Sequence, residues 1–375
     1  MEKGGRIRSI DMLRGIVMVL MVLDHVRGFF YTGPKPTDLS ETHFMLFATR
    51  WVTHFCAPVF IFLAGASAFM YGAKYTKRDL RRFLMTRGIW LIFLELTVIR
   101  FGWVHELGSM FILQVIWALG TGMLLLGVLA SLRPQVIMVI GICVVFGHNA
   151  IGPAVVEALS SSYKFVGQLL LTRGVFAVGL VKVHMAYAVL PWFGVMALGY
   201  GFGAYYLQAS PAMRRTICIR VGVAAMAMFA VLRGLNLYGD PTDWSILARL
   251  DLTIMSFLNL TKYPPSLLYL LMTLGPAIFL LPHLEHWSFT RFGRLSLLFG
   301  KVPMLFYILH LYFVSYGSQL LSLLLGQGTA LRRGIGLGLP EVWLVWGLMI
   351  LLLAPICYWY GNYKKRHDYW WLSYL

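Results

Sequence analysis

The chain has 375 residues, of which 59% are hydrophobic and only 13% charged, with a mean hydropathy of +0.73. Soluble globular chains carry about 25% charged and 45–50% apolar residues, so a water-soluble enzyme, a disordered protein and a disulfide-stapled secreted module are excluded. The net charge of +17 would suit nucleic acid, but the Lys and Arg residues sit in short clusters between apolar runs, so the lipid bilayer, not nucleic acid, is the expected partner.

Hydropathy predicts an all-α, polytopic transmembrane helix bundle of about ten spans, one domain over residues 1–375. The predicted spans are 10–31, 51–73, 87–104, 109–131, 135–150, 185–207, 216–233, 267–283, 295–325 and 341–361. The first carries Asp11, Arg14 and Asp24, is long enough to cross and ends in no small-residue cleavage site. It reads as a transmembrane helix rather than a removed signal peptide. The ninth is long for one span and is expected to tilt or break near Lys301 and Pro303.

With the N-terminus in the cytoplasm, the inner segments hold 18 Lys and Arg residues, including Lys3 and Arg6, and the outer segments 9, including Arg332 and Arg333. This bias predicts both termini inside. The segment 165–181 is apolar enough for an extra span. Yet that would put Arg173 mid-bilayer and turn the basic Arg214/Arg215 and Lys364–Arg366 clusters outward, so an interfacial or re-entrant segment is expected.

Charged groups inside spans are costly and therefore informative. On the first helix, Asp11–Arg14 and Asp24–Arg27 are both spaced i,i+3 and suited to local pairing. His25 lacks such a partner. Arg14 and His25 lie on nearly the same face, roughly 16 Å apart. On the second helix, Arg50 and His54 share a face, and Pro58 is expected to kink it. Glu95, Arg100 and Arg233 read as structural pairing groups. The glycines Gly199, Gly201 and Gly203 follow no strand, so close helix packing explains them better than nucleotide binding.

The segment NLTKYPPS, residues 259–266, would hold Lys262 and Tyr263 rigidly at the membrane mouth, as substrate contacts or as interfacial anchors. It also matches a glycosylation sequon, a weak signal. Tyr307 and His310 share a face on the ninth helix, away from Lys301, and a mid-span histidine needs a partner. The four cysteines are far apart in apolar segments, so no metal is expected.

The stretches RIRSIDMLRGIVMVLMVLDHVR, HFCAPVFIFLAGAS and KKRHDYWWLSYL resemble the heparan-alpha-glucosaminide N-acetyltransferase-like membrane proteins, among the wider transmembrane acyltransferases. The likeness is strongest over the first two helices, where the Ser9–Gly15 stretch is the most specific part. The resemblance implies acetyl-CoA used from the cytoplasmic side as a co-substrate rather than a permanently bound cofactor. The acetyl group would pass to a sugar amine or hydroxyl outside. It also implies a catalytic histidine between the first two helices, where His43 and His54 stand, and a polar first-helix position that matches His25.

The residues and the resemblance together give an expected scheme. Arg14, Arg78, Arg81 and Arg82 receive the CoA phosphates inside. His25 or His54 is general base, or transiently carries the acetyl group, with His43 as a further candidate. Asp24 fixes the tautomer of a histidine on a neighbouring helix. Lys262, Tyr263, Tyr307 and His310 contact the acceptor, a small molecule or glycan. The plasma (inner) membrane of a bacterium is the expected setting, and the oligomeric state, with an oligomer possible, is left open. The alternatives are a proton-coupled transporter or flippase using Asp24, His25, Glu95 and His310, and a scaffold whose charges are all structural.

Overall fold

The computed structural model describes residues 7–105, 110–179, 181–327 and 334–374. Lys3, Arg6, Arg332 and Arg333 of the charge count, and Leu180 of the ambiguous segment, lie outside these residues.

In chain order the helices are α1 (Arg8–Phe30), α2 (Phe44–Val52), α3 (Cys56–Gly72), α4 (Lys77–Leu94), α5 (Arg100–Val104), α6 (Val115–Leu129), α7 (Pro134–Ala158) and α8 (Ser161–Leu171). They continue with α9 (Val189–Gln208), α10 (Pro211–Gly234), α11 (Leu250–Leu258), α12 (Leu267–Trp287), α13 (Arg291–Gly300), α14 (Pro303–Leu324) and α15 (Leu339–Arg366). A short 3₁₀ turn joins α2 to α3, and a π-helical turn, Glu95–Ile99, joins α4 to α5. The fold is all-α apart from one small sheet. Six helical stretches among the described residues are long and apolar enough to cross a membrane.

Helix overlaps each predicted span, and one of them needs correction. The stretch 109–131 opens as a strand, β1 (Met110–Leu113), before α6, which at 15 residues rises only about 22 Å. The segment 165–181 forms no continuous helix. The 11-residue α8 rises about 16 Å, half the hydrocarbon core, and is followed by strand β2 (Gly174–Val178). Strand β3 (Val181–Met185) pairs antiparallel with β2 and parallel with β1. The sheet satisfies the backbone groups of two short segments that cannot span as helices.

The ninth predicted span breaks where expected. Pro303 opens α14 without an N–H to donate and holds Val302 out of helical geometry at φ −129°, ψ 52°. At the start of α4, Thr76 accepts from the Asp79 amide and the Asp79 carboxylate accepts from the Thr76 amide, a reciprocal cap.

Helix α1 is the central post, packed against α3, α12, α13, α14 and α15. Gly15 is what lets α13 approach. A methyl group there would overlap the backbone of Ser296, and one on Gly300 would overlap the backbone of Asp11. Close packing also accounts for the α9 glycines. Gly199 and Gly203 admit the α3 backbone at Phe62 and Ala66, while Gly201 faces Met138 of α7.

Candidate active site

A cavity of about 620 Å³ lies alongside α1. Its wall includes Arg14 near one end of α1 and Asp24, His25, Arg27 and Gly28 near the other. Arg14 and Gly28 are fourteen residues apart, so it runs about 21 Å along the helix.

The end near Arg14 is basic. Arg14 donates to the Asp11 carboxylate at 2.8 Å, to the Gly300 carbonyl at 3.3 Å and to Ser67 Oγ at 2.9 Å. The close α1–α13 crossing at Gly15 thus holds its guanidinium in place. Ser67, Arg87 and Lys364 line the same end. By contrast, Arg78, Arg81 and Arg82 are exposed on the first turns of α4 and do not line the cavity. Of the predicted cofactor cations, the structure brings only Arg14 to it. Arg87 and Lys364 line it as well, and their signal in the sequence was membership of the basic clusters.

At the other end, the Asp24 carboxylate accepts from Arg50 at 2.7 Å, from Arg27 at 2.9 Å and from Thr53 at 3.2 Å, all on Oδ1. The expectation that Asp24 would orient a histidine is therefore corrected. Its Oδ1 serves two guanidinium groups, strong partners for a carboxylate, and no histidine is bonded to it among the described residues. His25 instead pairs with His310 of α14, Nδ1 to Nε2 at 2.8 Å.

The hydrogen-bond network assigns the tautomers. His310 Nδ1 lies 2.9 Å from the Phe306 carbonyl, which can only accept, so Nδ1 carries the proton. His310 is fully buried, where a charged imidazole is costly, so with its proton on Nδ1 its Nε2 is the acceptor for His25 Nδ1. That leaves His25 Nε2 as a lone pair for whatever enters the cavity.

Lys262, Tyr263, Tyr307, Trp103, Gln114 and Tyr187 complete this end. The Lys262 ammonium lies over the Tyr263 ring, 5.2 Å from its centre. Burial raises the Tyr263 phenol, but the Lys262 and Arg50 cations outweigh it and hold it below its ordinary value. Gln114 and Tyr187 follow β1 and β3, so the small sheet delivers both to the wall. Neither stands out in the sequence by type, although the glutamine that interrupts the apolar run FILQVIW is a usable signal.

His310 stands behind His25, off the cavity wall. His54 is 2% exposed in the 3₁₀ turn and does not line it either. Its ring meets Tyr269 edge-on, the Tyr269 hydroxyl donates to its carbonyl at 2.7 Å, and its Nδ1 is buried without a partner among the described residues. His43 is exposed and caps α2 beside a separate cleft lined by Tyr31 and Trp343. The three candidate histidines are thus not brought together.

Two groups read as structural are so, by other partners than expected. Glu95 caps α6, accepting from the Gln114 and Trp117 amides at 3.2 and 3.0 Å. Arg233 donates to the carbonyls of Thr242, Ser256, Phe257 and Asn259, clamping the segment before α12.

One observation decides the family. A family model for the catalytic region of heparan-alpha-glucosaminide N-acetyltransferase matches residues 6–240. The chain belongs to this family. The match extends the resemblance of the opening helices through α10, and it makes the chain a member of a membrane acetyltransferase family. No curated protein matches the chain. The N-acetyltransferase family region contains Arg14, Asp24, His25, Arg50 and His54, while Lys262, Tyr263, Tyr307, His310 and Lys364 come from the part beyond it.

Proposed function

We propose that the protein moves an acetyl group from cytosolic acetyl-CoA to an extracytoplasmic acceptor, a sugar amine or hydroxyl. The observation that carries this is the continuity of one cavity between Arg14, Arg87 and Lys364 at one end and His25 at the other. CoA is a polyanion, and a basic mouth receives its phosphates. The exposed Arg78, Arg81 and Arg82 steer it there. The thioester then lies along the cavity, and His25 Nε2 takes the proton of the attacking acceptor nucleophile. The new bond joins the acetyl carbon to the acceptor, and CoA leaves as the thiol.

In this reading ten spans cross the bilayer with both termini in the cytoplasm, because the basic clusters at the α3–α4 turn and the end of α15 then face inward. The setting is the plasma membrane of a bacterium.

The test is calorimetric binding of acetyl-CoA to the purified protein in detergent, followed by label transfer from acetyl-CoA. Saturable binding weakened by Arg14→Ala, and transfer lost in His25→Ala, are the expected results. No binding at millimolar ligand to folded protein overturns the reading. It would favour transport, although a proton path through Glu95 is hard to sustain while that carboxylate caps α6. Uptake into proteoliposomes that ignores acetyl-CoA is the positive sign of that alternative.

A further inference from the structure

The histidine end of the cavity is built with more positive charge than its own residues neutralise. Arg27, Arg50 and Lys262 all line it, while Asp24 is the one acidic residue in the wall among the described residues. Both guanidinium groups share a single oxygen of that carboxylate. Lys262 has no carboxylate partner among the described residues. Its recorded contact is the Tyr263 ring, and it is only 8% exposed. The local sum is two positive charges facing the cavity.

A buried ammonium is costly unless an anion or a set of acceptors meets it. A cation–π contact returns only part of that cost. The fold nevertheless takes trouble to hold Lys262 there. Arg233 holds the carbonyls of Thr242 before α11 and Asn259 after it, and the Thr261 amide donates to Asp240 at 2.8 Å. A lysine needed only as a surface anchor would snorkel out of the cavity.

We propose that Lys262, with Arg50 and Arg27, forms an anion-binding subsite, and that the acceptor carries a carboxylate, sulfate or phosphate which docks there while its nucleophile meets His25. This rests on the acyltransferase reading and narrows its acceptor to an anionic class. The depressed Tyr263 phenol has the same origin, an uncompensated positive field. The anion comes either from a soluble sugar acid or from a lipid headgroup, and the chemistry at Lys262 is shared.

The experiment is binding of glucuronate and of glucose to the wild-type protein in neutral detergent, with saturating CoA to occupy the Arg14 end. Glucuronate is expected to bind saturably, glucose not at the same concentrations, and inorganic sulfate to compete. Lys262→Gln should weaken glucuronate about tenfold or more, the effect of losing one charge-assisted contact, and Lys262→Arg should restore it. Equal binding of the two sugars, or an unchanged affinity in folded Lys262→Gln, overturns the proposal.

If Lys262→Gln does not fold, the wild-type comparison decides alone. Repeating the titration in phosphatidylglycerol and phosphatidylcholine nanodiscs separates the sources, since an anionic headgroup in the subsite blocks glucuronate only in the former. CoA binding without glucuronate binding defeats this proposal but leaves the acyltransferase reading intact. Lys262-dependent glucuronate binding without CoA binding does the reverse.

Discussion

His25 on α1 and His310 on α14 meet Nδ1 to Nε2 at 2.8 Å across 285 residues of sequence. The bond joins two helices that are far apart in the chain. Together with the Phe306 carbonyl the two histidines form a chain of donors that runs one way and ends in a lone pair on His25.

That direction is testable. His25→Ala is expected to lower acetyl transfer by about 10²–10⁴, the usual worth of a general base. His310→Phe keeps the ring volume but removes the acceptor for His25 Nδ1. Turnover should fall about ten- to hundredfold, in line with the loss of an outer orienting partner, with acetyl-CoA affinity unchanged. A wild-type rate in His310→Phe would show that His310 is only packing.

Arg14→Ala should weaken acetyl-CoA binding about tenfold or more, as expected for a lost charge-assisted contact. The triple change of Arg78, Arg81 and Arg82 to Gln should alter mainly the association rate and its salt dependence, because these groups are exposed and screened. Stopped-flow binding at two ionic strengths distinguishes the two. An equilibrium loss in the triple variant as large as in Arg14→Ala would move the phosphate site onto α4.

Asp24→Asn leaves Arg27 and Arg50 without their shared counter-charge. A loss of about 3–5 kcal/mol is expected from breaking such a pair, or a lowered melting temperature in detergent where unfolding is irreversible. Adding Arg50→Gln should recover part of it, since one stranded charge is removed. No recovery would place the damage elsewhere.

His54→Phe should leave acetyl-CoA binding and transfer in place, because the ring points at Tyr269 and not into the cavity. Loss of transfer in a folded His54→Phe protein would restore it as a catalytic candidate.

Glu95→Ala removes the acceptor for two α6 amides and should cost about 2–3 kcal/mol, the range for a lost charge-assisted contact at a buried helix start. Thermal unfolding reads this directly. Glu95→Gln, which retains an acceptor oxygen, should lie between the two.

The helical architecture was legible because burying backbone in lipid leaves helix as the main solution, and long apolar runs announce it. The break at Pro303 was legible for a local reason, the missing N–H of proline. The small sheet was not, because pairing Met110–Leu113 with Val181–Met185 depends on segments about 70 residues apart. The i,i+3 pairs Asp11–Arg14 and Asp24–Arg27 stood out because one helical turn brings them together whatever the fold.

The sequence by itself determined that this is a membrane helix bundle, that its first helix carries a cation at one end and an acid and a histidine at the other, and which family its opening helices resemble. Tertiary structure alone decided that His25 faces a cavity with His310 behind it, while His54 and His43 turn away. It also decided that Asp24 serves two arginines, and that Arg87, Lys364, Gln114 and Tyr187 complete the wall. The reason is physical. Helical spacing determines which residues share a face, but which face meets a cavity depends on how neighbouring helices pack, and here that is set by contacts as remote as Gly15 against Ser296.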